Sequence, residues 1–236
     1  MTAILAETSG LGTDELDVYS DPICPWCFIG RQHMRAALEI LAEQGMQFSV
    51  SWRPFRLNPA MPKAGMPRAE YRLAKFGSLE RSRQLDDQVV AAAQAAGLRI
   101  NHDRIARTPN TLAAHRLIRL AGSGGQQDSG GQQDAVVGRL FEDYFVDGRD
   151  IGDDSVLADA AAAAGMDRAS TLAYLAGDAD RVEVEQEDAA ARRAGLQGVP
   201  AFVVRNRLLF SGAVPADAFA DGLARACAAP LAALRR

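Results

Sequence analysis

Cys24-Pro25-Trp26-Cys27 sets two thiols three residues apart, a spacing at which one sulfur can attack a disulfide and the other can capture the adduct. Leu16-Asp17-Val18-Tyr19 ahead of them alternates like a half-buried strand, and Ser20-Asp21-Pro22 makes a turn. Behind them Phe28, Ile29, Met34, Ala37, Leu38 and Leu41 recur at helical spacing up to Gly45. A thiol in the first turn of that helix faces unpaired N–H groups and the positive end of the dipole. Cys24 is therefore expected to ionise well below the free-cysteine value of about 8.5. Pro25 fits there because a first-turn N–H has no helical partner to lose. Cys27, one turn on, can close a disulfide with Cys24 or release a mixed disulfide from it.

The elements that must hold this dithiol are predicted at the two ends of the chain. Gln47–Trp52 alternates, with Phe48, Val50 and Trp52 on one face, and Phe48 and Trp52 are read as core. Ala201–Val204 and Leu208–Phe210 are short apolar runs around Arg205-Asn206-Arg207, a tight turn in which Asn206 accepts positive φ. A last helix is predicted over Pro215–Cys227. Between the ends the pattern is helical, at Pro67–Phe76, Ser78–Ala96, Thr111–Ala121, Gln133–Val146, Asp154–Ala164, Arg168–Ala176 and Ala179–Ala194. Gly77, Gly97, Gly122, Gly165, Gly177 and Gly195 stand just past proposed stops and suit the left-handed C′ position. Gly124–Asp134, with Gly-Gln-Gln-Asp twice, reads as a mobile polar loop. Strand–helix–strand, a helical insertion, then helix–strand–strand–helix is the thioredoxin arrangement.

A second anchor is Gly198-Val199-Pro200-Ala201-Phe202. Pro200 can simply start an edge strand, where a missing N–H is harmless. Alternatively, a cis Val199–Pro200 bond set against the dithiol would keep a backbone N–H away from the sulfurs and leave Val199 free to pair with an extended substrate. The preceding dithiol and the strand order favour the second reading. Trp26 offers apolar surface at the mouth of the site. Arg53 and Arg56 either steer an anionic substrate or belong to a solvated turn. Asn110 suits a helix cap, and Asp21 could satisfy an N–H near the active helix or perturb the thiolate. His33 reads as a surface or packing residue, and His115 as a satisfied structural histidine rather than a relay.

Composition removes other classes. A net charge of −4 and a pI near 5.4 argue against nucleic-acid partners. Nothing reaches the roughly 18 consecutive apolar residues of a membrane helix. Residues 1–13 read as a flexible tail, without the basic start and apolar stretch of a signal peptide. Three cysteines make no disulfide framework, and Cys227 reads as a small buried hydrophobe on the last helix. A zinc site would need ligands that scattered His33, His102 and His115 do not offer, so no metal is expected. A cytoplasmic, reducing compartment follows, where disulfides are transient and catalytic.

The segment from Ser20 through the dithiol to Gly30, the later Gly-Val-Pro, Arg53-Pro54-Phe55-Arg56-Leu57-Asn58-Pro59 and Asn110-Thr111-Leu112-Ala113-Ala114-His115 resemble the DsbA-like thioredoxin superfamily. The likeness is nearest to its FrnE-type cytoplasmic branch and covers most of the chain. It implies an α/β protein, a thioredoxin fold with a large all-helical insertion: residues 14–58 and 178–230 form the thioredoxin domain and 59–177 the insertion. It further implies a thiol–disulfide oxidoreductase with Cys24 attacking, Cys27 resolving and Pro200 cis, and with Trp26, Val199 and Pro200 contacting substrate. No prosthetic group is expected. The partners would be a disulfide-containing or unfolded protein, or a low-molecular-weight thiol such as glutathione as co-substrate, and monomer and homodimer both remain open. Trp26 stands where the strong periplasmic oxidants carry histidine, so a milder oxidant than the roughly −120 mV of DsbA is expected. Some FrnE-type relatives carry a second cysteine pair; Cys227 has no neighbour to form one. The superfamily also holds glutathione-dependent isomerases of the 2-hydroxychromene-2-carboxylate type and kappa-class glutathione transferases. Action on a small aromatic compound is thus the alternative enzyme reading, and a non-catalytic chaperone the third. The isomerases and transferases typically hold serine at the first position of the dithiol, so keeping both thiols favours redox exchange.

Overall fold

The computed structural model describes residues 14–123 and 129–228. The expected tail at 1–13, part of the expected polar loop, and residues 229–230 lie outside them. Strand β1 (Asp14–Ser20), helix α1 (Pro25–Glu43) and strand β2 (Phe48–Pro54) open the fold, and β5 (Ala201–Val204), β6 (Arg207–Ser211) and α9 (Ala216–Ala228) close it. The strands make one sheet in the order β2-β1-β5-β6, parallel between β1 and β2 and antiparallel elsewhere. Leu16 and Val18 are buried while Glu15 and Asp17 between them are not, so the period-2 pattern sets the register that places Val18 between Trp52 and Phe202. Arg205 (φ 50°) and Asn206 (φ 60°) both take the left-handed turn that a two-residue hairpin requires.

The intervening segment holds α2 (Arg68–Phe76), α3 (Leu79–Ala95), α4 (Leu112–Gly122), α5 (Ser129–Phe145), α6 (Asp154–Ala163), α7 (Arg168–Ala176) and α8 (Arg181–Arg193). It also carries a two-residue ribbon, β3 (Met66–Pro67) paired with β4 (Arg107–Thr108). The insertion does not form a core of its own. Phe28 on α1 stacks on Phe141 and Phe145 of α5, with centroids 5.3 and 5.9 Å away, and one buried cluster runs from the sheet through α1 into α4 and α5. Trp52 is part of that cluster, whereas Phe48 is only half-buried.

Three expectations are corrected here. Residues 129–134 are helical rather than loop: Gln133 is buried, accepts from the Trp52 N–H (2.8 Å) and donates to the Trp52 and Ile118 carbonyls (3.3 and 3.1 Å), and Asp134 pairs with Arg31 at 2.6 Å. The amide thereby satisfies the outer edge of β2, which no further strand covers. Gly122 is not a C′ residue but the last residue of α4; a Cβ there would lie 2.6 Å from the Gln133 amide, so glycine makes room for that side chain. Gly177 is extended (φ −89°, ψ −171°), and its carbonyl is one of four at the end of α7 that accept from the buried Arg116 guanidinium. The other four expected stops, Gly77, Gly97, Gly165 and Gly195, do have positive φ.

Candidate active site

Ser20 ends β1, and Asp21-Pro22-Ile23 carries the chain into α1. Cys24 is the N-cap of that helix (φ −91°, ψ 113°) and Pro25 its first residue, one position earlier than a first-turn thiol. The Cys24 sulfur still faces the open end of the helix, because the capping position borders the same unpaired N–H groups. Asp21 fixes the turn from below. Its side chain is fully buried, one oxygen accepting the Leu57 N–H at 2.6 Å and the other the Ile23 N–H at 3.4 Å, and its carbonyl accepts the Cys24 N–H at 2.9 Å.

Cys24 and Cys27 are free thiols, both buried, with Cys27 1% exposed. Burial, and then the adjoining Cys24 sulfur, push the Cys27 thiol well above the ordinary cysteine value; the Ser20 hydroxyl and the Asp21 N–H beside its sulfur pull the other way. The Cys24 sulfur lies 3.6 Å from the Val199 carbonyl, joining residues 175 apart in the chain. The Val199–Pro200 peptide is cis. Pro200 packs on α1 at Gly30, where a Cβ would come within 2.9 Å of the ring, so glycine is what lets the loop approach the dithiol helix. Trp26 projects at 41% exposure beside the buried sulfurs.

The other singled-out residues separate into two groups. Arg56 cannot meet substrate: it is buried against Asp188 of α8 (3.7 Å), whose carboxylate also accepts the Arg56 N–H (3.0 Å). Arg53 is half-exposed but holds Asp17 at 2.6 Å. His33 Nδ1 lies 3.0 Å from the Val214 carbonyl, tying α1 to the segment before α9. Asn110 accepts the Leu112 N–H (2.9 Å) and donates to the Met61 carbonyl (2.6 Å), so it caps α4 from one residue before the helix boundary. Cys227 is half-buried, and burial and the neighbouring Asp14 push its thiol up to about 11. His115 departs from expectation. Its side chain is 2% exposed and Nε2 has no hydrogen-bond partner, facing Asp21 Oδ1 at 3.8 Å, so it is not a satisfied histidine. Sequence reasoning also passed over Ser20 and Gly30; the motif contained both, but their use depends on the approach of Cys27 and Pro200.

Beside β2, α4 and α8 enclose a polar cleft of about 290 Å³ that includes Ser51, Arg53, His115, Arg119 and Glu187. Among the described residues no cluster of three or more His, Cys, Asp or Glu side chains is placed to hold a metal, and no helix is long and apolar enough to cross a membrane.

A dithiol at a helix start, set against a Val-Pro loop, is also what known proteins show when compared with this chain. The profile of the DSBA-like thioredoxin domain matches residues 15–224. The chain belongs to that family. A probable DsbA oxidoreductase from Streptomyces coelicolor is similar in structure, with 32% identity, 92% of each chain covered and a TM-score of 0.79. The cytosolic disulfide reductase DsbM from Pseudomonas aeruginosa, in a structure with GSH, shares the fold at 20% identity, with 90% of this chain and 98% of that one covered and a TM-score of 0.62. An uncharacterized Bacillus subtilis protein, YwbO, is 25% identical over 211 residues, 88% of this chain and 94% of its own. Family membership makes this a DsbA-like oxidoreductase or isomerase scaffold.

Proposed function

We propose that this DsbA-like protein is a thiol–disulfide oxidoreductase that works through a mixed disulfide on Cys24. The Cys24 thiolate attacks one sulfur of a substrate disulfide, forming a Cys24–substrate disulfide and expelling the other sulfur as a thiolate. The Cys27 sulfur then attacks the Cys24 sulfur, forming the Cys24–Cys27 disulfide and releasing the second substrate thiolate. Two electrons pass from the dithiol to the substrate; the reverse sequence oxidises a dithiol substrate.

One observation carries this reading: the Cys24 sulfur at the start of α1 lies 3.6 Å from the Val199 carbonyl while Cys27 is sealed behind it. The outer sulfur is thereby the one a substrate meets first, and a strand-like segment passing the Val199–Pro200 loop comes within reach of it. Trp26, exposed beside the pair, supplies apolar contact for such a segment. Glutathione is the small thiol we assign as co-substrate, in a reducing cytoplasmic setting; DsbM, of the same fold, is a cytosolic disulfide reductase whose structure holds GSH. No prosthetic group enters the cycle.

Reduction of insulin disulfides in a glutathione buffer tests the proposal. Wild-type turnover is expected, with loss in Cys24→Ser and arrest as a mixed disulfide in Cys27→Ser. Turnover that survives in the double variant would overturn it.

A further inference from the structure

We propose that His115, on the inserted helix α4, is a positioning residue for the dithiol. With Asp21 it forms a buried proton-transfer pair that serves Cys27 and opens to solvent through the cleft beside β2. This rests on the disulfide-exchange reading above and concerns its second step.

In that step the Cys27 S–H bond breaks as the Cys24–Cys27 bond forms. The substrate leaves as a thiolate, and the Cys27 proton must go elsewhere. At 1% exposure Cys27 cannot hand it to bulk water. The polar groups at its sulfur are the Ser20 hydroxyl and the Asp21 N–H. Ser20 Oγ is buried and has no nitrogen or oxygen partner, and a hydroxyl can accept and donate a proton. The next residue carries the fully buried Asp21 carboxylate, whose nearest cationic candidate among the described residues is His115. A buried carboxylate left without a positive partner costs several kcal/mol, and a proton held between the carboxylate and imidazole removes that cost. Nε2 and Oδ1 stand 3.8 Å apart, each turned to the other, and Nε2 has no competing partner. A structural histidine would have spent that nitrogen; here it is kept for exchange.

His115 also lines the cleft of about 290 Å³, which gives the pair an outlet away from the Trp26 mouth. The charged groups that share the cleft with it are Arg119 from α4, Arg53 from β2, and Asp180 and Glu187 from α8. Gln133 from α5 is uncharged, and Asp21 faces His115 from the turn before α1. Arg119 is paired with Asp180 and Glu187, and Arg53 with Asp17. Imidazole is the side chain in this set suited to exchanging a proton near neutral pH.

Mixing the reduced protein with 5,5′-dithiobis(2-nitrobenzoate) in a stopped-flow instrument reads the two steps separately. The first thionitrobenzoate released reports Cys24 attack, and the second reports resolution by Cys27. In wild type the second rate is expected to level off above neutrality. In His115→Gln the first rate should change less than about twofold, whereas the second falls at least about tenfold near pH 7. It should then climb about tenfold per pH unit toward wild type as hydroxide takes over. A second rate that is unchanged, or reduced equally at every pH, overturns the relay while leaving the exchange reading intact. Absence of any thionitrobenzoate release from wild type would sink the exchange reading instead. Should His115→Gln fail to fold, wild type alone decides: a second rate that rises in proportion to hydroxide from pH 5 to 9 overturns the relay.

Discussion

Gly30→Ala should disturb the site more than the fold. In a helix the change gains about 1 kcal/mol over glycine. The added Cβ would lie 2.9 Å from Pro200 Cγ and 3.4 Å from Phe202 Cζ. Carbon pairs rest at about 3.5–4.0 Å, so the proline ring would have to retreat by about 0.6–1.1 Å. The ring belongs to a rigid backbone loop, and overpacking of this kind costs about 1–3 kcal/mol. The net effect is a loss of about 0–2 kcal/mol. The same retreat carries the Val199 carbonyl away from Cys24, and a misplacement near 1 Å costs about 100-fold in rate. Gly131→Ala in α5 is the control: nothing lies within 4 Å of its Cβ position, so it should stabilise by about 0.4–1 kcal/mol. Urea midpoints and disulfide turnover of the two variants give the comparison. Equal stabilisation of both, with full turnover in Gly30→Ala, would refute the packing of the Val199–Pro200 loop on α1.

Two further outcomes follow from the same geometry. Gln133→Leu removes three hydrogen bonds and strands the buried Trp52 N–H, so it should lower stability by about 3 kcal/mol or more; Gln133→Ala, open to water from the adjoining cleft, should cost less, and the reverse order in urea unfolding would contradict the edge-satisfying role. The raised Cys27 thiol keeps its proton in the folded state while the unfolded chain ionises from about pH 8.5, so its contribution is full below that pH and is lost as pH rises toward the folded value. In a Cys227→Ser background, which removes the like-signed effect of the thiol raised to about 11, reduced protein should lose stability between pH 7.5 and 10, and Cys27→Ser should flatten that loss. An identical fall in both proteins would show that Cys27 ionises freely when folded.

Much of the fold was legible because local pattern and long-range structure agree. Leu16 and Val18 alternate with acidic neighbours, Ser78 and Asp153 cap α3 and α6, and four helices stop at positive-φ glycines. The dithiol sits at a helix start because Pro25 and the apolar spacing behind it leave few alternatives. The misreadings share one cause. Gln133 looked too polar to pack, Gly122 looked like a stop, Arg56 looked solvated and His115 looked satisfied. Each is decided by a partner brought in from another element: the β2 edge, the Gln133 amide, Asp188 and Asp21. Polar residues at such junctions carry no periodicity, because their burial depends on hydrogen bonds made across tens of residues. The closeness of Val199 to Cys24 is of this kind too; the two motifs were readable, while their distance needed the β1–β5 pairing.

The most direct test of the division of labour between the two sulfurs is intact mass after reaction of cysteine variants with oxidised glutathione. Cys27→Ser should hold one glutathione on Cys24, mapped by peptide mass, while wild type passes to the Cys24–Cys27 disulfide with no lasting adduct. A stable adduct forming just as fast on Cys27 in Cys24→Ser would contradict the assignment of the buried sulfur as the resolving one.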